Sequence, residues 1–108
     1  MKERIIKAAK RYLALLGYDD LDQIVNGFLA YKDENDLVFI NVCWSSQQFA
    51  ESDHDTLKHD FELALEEWFS DPKNIDRADY VVRCDEVSFW VCSESRALVR
   101  HTRNALSK

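Results

Sequence analysis

The segment Leu37-Val38-Phe39-Ile40-Asn41-Val42-Cys43-Trp44 constrains this chain more than any other. An extended backbone sends successive side chains to opposite faces. A run that is apolar at both odd and even positions therefore needs cover on both sides. That predicts a central strand packed between two layers. Asn41 is the one polar interruption, and it falls mid-strand.

The flanking segments supply the cover. Residues 2–16 have the periodicity of a helix, with Ile5, Ala9, Tyr12, Leu13 and Leu16 on one face. Gly17 suits the left-handed position that ends a helix. Residues 53–70 predict a second helix, capped by Ser52 or Asp53 and stopped by Asp71-Pro72. Its buried stripe is Leu57, Phe61, Ala64, Leu65 and Trp68; its outer face, with Asp60, Glu62, Glu66 and Glu67, is acidic. Residues 23–31 and 37–44 form a hairpin across the polar turn 32–36. Residues 79–92 give one or two more strands, Tyr80 to Cys84 and Val87 to Cys92. The tail 94–106 has helical propensity but also fits an edge strand. The order α, β, β, α, β, then β or α, implies an α/β fold with a mixed sheet flanked by helices.

The length of 108 residues suits one domain, residues 1–108, with a core that needs neither disulfides nor a structural metal. Two Gly and one Pro rule out a Walker A loop or a dinucleotide fingerprint and leave little room for linkers. No secretory h-region or membrane-spanning run is expected, and the setting is expected to be cytoplasmic. The three cysteines, Cys43, Cys84 and Cys92, read as reduced, buried thiols. Charge is uneven: residues 1–18 carry +4, residues 19–79 carry −12 and residues 80–108 carry +2. The two ends are basic and the middle would repel a phosphate backbone.

Four blocks of residues carry a family likeness. They are Ala8 to Tyr18; Phe28-Leu29-Ala30 followed by Leu37 to Val42; the helix from Lys58 to Phe69; and Val82-Arg83-Cys84-Asp85 with His101-Thr102-Arg103-Asn104-Ala105-Leu106. In this order the chain resembles the YraN-type endonuclease family, which is related in fold to Holliday-junction resolvases and restriction endonucleases. The resemblance implies a restriction-endonuclease-like core. It also implies an active site of an aspartate, a glutamate and a lysine two residues further on, around Mg²⁺. Here those positions fall on Gly27, Asn41 and Cys43, and a family glutamate in the first helix falls near Ile6. Every expected charge is replaced. The family's typically basic third block is acidic in this chain, as a retired nuclease would show.

The resulting expectation is a catalytically inactive nuclease-fold protein that binds nucleic acid or another protein, with no cofactor and no metal site. Lys7, Lys10, Arg11, Arg96, Arg100 and Arg103 are the nucleic-acid-binding candidates. The alternative is a Mg²⁺-dependent DNA endonuclease whose site is rebuilt from Asp22, Asp36 or Asp85. A homodimer is a further expectation, because consecutive Phe89 and Trp90 in a strand face opposite sides and one must meet a helix or a partner. Asp55 and His59, spaced i, i+4, lack a third metal ligand. No nucleophile elbow supports a hydrolase triad.

Overall fold

The central strand is where the sequence places it. The computed structural model describes residues 2–18, 21–23, 28–32, 36–50, 52–73 and 81–106. The elements run α1 (Lys2–Leu15), β1 (Asp22–Gln23), β2 (Phe28–Lys32), β3 (Asp36–Ser45), α2 (His54–Ser70), β4 (Val81–Ser93) and β5 (Arg96–Thr102). One sheet holds all five strands in the order β1-β2-β3-β4-β5. β3 pairs antiparallel with β2 and parallel with β4. A parallel neighbour requires a crossover, and α2 lies in it. The fold is a mixed α/β sheet with a helix packed on each face.

Side-chain alternation divides β3 between two cores. Val38 and Ile40 join Leu29, Val87 and Phe89 beneath Ile5, Ile6, Ala9 and Leu13 of α1. Leu37 and Phe39 join Phe28, Ala30 and Cys84 beneath Leu57, Ala64 and Trp68 of α2. Leu13, Leu29, Leu37, Phe39 and Ile40 are fully buried, each contributing roughly 1.5–3 kcal/mol of apolar transfer. The predicted α1 face needs two corrections. Ile6 is buried, and Leu16 is exposed because the helix ends at Leu15.

That end is a glycine stop. Gly17 has φ +92°, the Tyr18 N–H donates to the Leu13 carbonyl, and the Gly17 N–H donates to the Ala14 carbonyl. This is a Schellman arrangement. At the start of α2, the Asp53 carboxylate accepts from the Thr56 N–H at 3.2 Å, so Asp53 rather than Ser52 is the cap.

One further expectation changes, and two left open are decided. The span 23–31 is not one strand: β1 pairs back on β2, Asp22 opposite Ala30. The residues between them lie outside the described set. Val81 to Ser93 is one continuous strand of 13 residues. The ambiguous tail is strand β5, joined to β4 through Glu94-Ser95 with an irregularity between Val91 and Ser93. Pairing along β4 outweighs the tail's helical propensity. Among the described residues, no helix is long and apolar enough to cross a membrane.

Candidate functional site

On the α2 side, the apolar rows of β3 and β4 give way to polar ones. Asn41 lies opposite Glu86, and Cys43 opposite Ser88. Paired residues face the same way, so these four side chains form a notch beyond Phe39 and Cys84. The loop that follows β3 crosses it. Asn41 Nδ2 donates to Ser52 Oγ and to Glu86 Oε2, both at 3.1 Å. Ser88 Oγ donates to the Ala50 carbonyl at 2.6 Å, and Cys43 Sγ lies 3.7 Å from the same oxygen. Asn41 and Cys43, the neutral residues where the sequence resemblance led one to expect a glutamate and a lysine, thus tether a loop.

This geometry is poor for a hard cation. Glu86 is buried and brings one carboxylate, but Asn41 turns its N–H donors, not its oxygen, toward it. Burial, then the nearby Glu86 charge, pushes the Cys43 thiol up to about 11. It neither ionises near neutrality nor replaces a lysine. Mg²⁺ is bound through carboxylates in octahedral geometry, so the residues present do not fit it. Among the described residues, no group of three or more His, Cys, Asp or Glu is placed to hold a metal. Gly27, where the resemblance led one to expect an aspartate, lies outside the described residues, and Ile6 is core.

The relocated site does not assemble from the described side chains either. Asp85 is fully buried and points to the opposite, α1 side. Arg83 Nε and Nη2 donate to its carboxylate at 2.9 and 3.2 Å. His101 Nε2 lies at 2.9 Å, and the Asn104 N–H donates at 3.0 Å. Arg83 also donates to the Tyr18 hydroxyl at 3.0 Å. Burial opposes the Asp85 charge, but the bonds from His101, Asn104 and Arg83 outweigh it and hold the carboxyl below the usual range. Asn104 meets Asp85 with φ +50°, a conformation Asn tolerates well. Asp85 is therefore a structural hub joining β4, β5, the closing turn and the end of α1. Asp36 is exposed at the far end of β3, about 17 Å of strand from Asn41. The Asp22 side chain lies outside the described set.

No family model, curated protein or solved structure matches the chain.

The six basic candidates do not form one patch. Lys7, Arg11 and Arg96 line a single open cleft of about 410 Å³ between α1 and the β4–β5 turn, together with Arg4. Lys10 instead reaches Gln23 Oε1 at 3.5 Å. Arg100 sits over the Phe49 ring, 5.0 Å from its centroid, on the notch side. Arg103 is exposed in the closing turn. The sequence reading missed Arg4, Glu86, Ser52 and Ser88 as site residues. For Glu86 and Ser88 the available signal was the polar spacing that matches Asn41 and Cys43, but it shows only once the parallel register is known.

One other expectation is corrected. Cys92 is exposed, Cys43 is intermediate and Cys84 alone is buried. Of the two consecutive aromatics, Phe89 is buried under α1, and Trp90 packs edge-on against Phe49 with centroids 5.7 Å apart. Asp55 approaches His54 Nδ1 at 3.7 Å.

Proposed function

We propose that this chain is a catalytically retired domain with a restriction-endonuclease-like core, and that it works by binding nucleic acid rather than cutting it. The mixed sheet with a helix on each face supports that core. One observation carries the loss of catalysis: the loop reaching Ser52 is hydrogen-bonded across the notch through Asn41, Cys43 and Ser88. Metal-assisted hydrolysis needs an open position for water and the scissile phosphate. Here protein crosses that position, and among the described residues Glu86 is the carboxylate within reach.

Nucleic acid is favoured as the ligand because the exposed cations Arg4, Lys7 and Arg11 share α1, while the exposed acids Glu62, Glu66 and Glu67 lie on α2. Opposite faces thus carry opposite charge. A phosphate backbone is drawn to one face and repelled by the other.

Incubation with branched and linear DNA in Mg²⁺ or Mn²⁺ tests the catalytic half. Both substrates are expected to stay intact. Cleavage abolished by Glu86→Gln or Asp36→Asn would reinstate the endonuclease reading.

A further inference from the structure

The α1 cleft has more definition than a scatter of surface lysines. Arg4, Lys7 and Arg11 are spaced i, i+3, i+7, which sets them in one stripe over about 10 Å of helix. Arg96 faces them from the start of β5, across a floor that includes Ala8, Val91 and Ala97. Arg4 Nη2 donates to the Glu94 carbonyl at 3.0 Å, tying the turn to the helix and fixing the width of the cleft. Glu94 is the acidic residue among the described lining residues.

We infer that this cleft is a clamp for a phosphodiester backbone, without base readout, on the face of the sheet opposite the notch. This rests on the nucleic-acid reading above and gives it a site and a mode. Guanidinium forks suit phosphate oxygens. The floor is small and aliphatic, with no aromatic among the described lining residues to stack a base or to anchor a protein hot spot. Contacts to phosphate position a strand and carry no sequence information directly. The bound strand therefore lies away from the position where the family resemblance puts catalysis.

Fluorescence anisotropy of the full chain tests it, with a labelled mixed-sequence single strand, its duplex and a homopolymer. Lys7→Ala, Arg11→Ala and Arg96→Ala probe the cleft; Arg103→Ala is the control, and circular dichroism checks folding. Each cleft variant is expected to weaken binding about fivefold at 0.1 M salt and to flatten the log–log salt slope by about 0.7 for a single strand. Arg103→Ala is expected to leave binding unchanged, and the sequences are expected to bind alike. Binding that ignores the cleft variants but falls in Arg103→Ala would overturn the clamp while leaving the nucleic-acid reading standing. A strong sequence preference would overturn backbone-only recognition. No oligonucleotide binding at low salt, or preferential binding of polyglutamate, would overturn both.

Discussion

Replacing Asp85 by Asn removes one charge from the most heavily bonded side chain described. The wild-type carboxylate is fully buried and takes two bonds from Arg83, one from the Asn104 N–H and one contact from His101. The amide keeps one acceptor oxygen and turns an NH₂ toward groups that are themselves donors. The Arg83 guanidinium then loses its counter-ion in a half-buried setting. Breaking one partner of a buried ionic network costs about 3–5 kcal/mol, and the retained oxygen puts the expected loss near the lower end, about 3 kcal/mol. Against a native stability of roughly 5–15 kcal/mol, that is large and shifts the melting temperature down by roughly 10 °C or more. Urea unfolding followed by tryptophan fluorescence reads it directly. The pH dependence has a definite sign. The folded-state pKa of Asp85 is lowered, so the folded protein binds fewer protons than the unfolded chain through the acid range. Its stabilisation is present above the unfolded value of about 3.9 and is lost as pH falls through the lower folded value. The gap between wild type and Asp85→Asn should therefore narrow on strong acidification. A loss under 1 kcal/mol at pH 7, or a gap that widens in acid, would refute the hub.

Three further outcomes follow from the geometry. Asn41→Asp sets a carboxylate beside Glu86 in place of a donor, so it should cost about 1–3 kcal/mol at neutral pH, with the loss easing in acid; denaturant titration at several pH values checks both. With an uncharged maleimide at neutral pH, exposed Cys92 should react first, while Cys84, pushed up to about 12 by burial and then the Asp85 charge, and Cys43, pushed up to about 11, should wait for unfolding; mass spectrometry counts the adducts. Asp53→Ala should cost about 1 kcal/mol by removing the α2 cap, read as a lower midpoint in urea.

The sequence revealed the layers better than the site. The run from Leu37 to Trp44 announces a strand covered on both faces because the alternation of side chains is a local property. Gly17 and Asp53 announce helix ends for the same reason. The tail from Arg96 to Thr102 was ambiguous because its state depends on pairing with β4, a contact that local propensity does not encode. The split of the basic residues was hidden in the same way. The β4–β5 irregularity accompanies Arg96 lining the α1 cleft while Arg100 lies over Phe49 on the notch side. Asn41 was visible as an anomaly, but its bonds to Ser52 and Glu86 required the parallel register and the path of the loop. Arg83, Asp85, His101 and Asn104 were marked by resemblance alone; their convergence is a tertiary fact.

The central claim is that, among the described residues, the notch beside Asn41 has too little negative charge, and too much protein across it, to grip a divalent cation. Electron paramagnetic resonance of Mn²⁺ titrated with the full chain measures this directly, because bound ion leaves the free-ion signal. The account predicts that the free signal persists at millimolar Mn²⁺ and does not respond to Glu86→Gln. Stoichiometric loss of that signal, restored by Glu86→Gln, would contradict it.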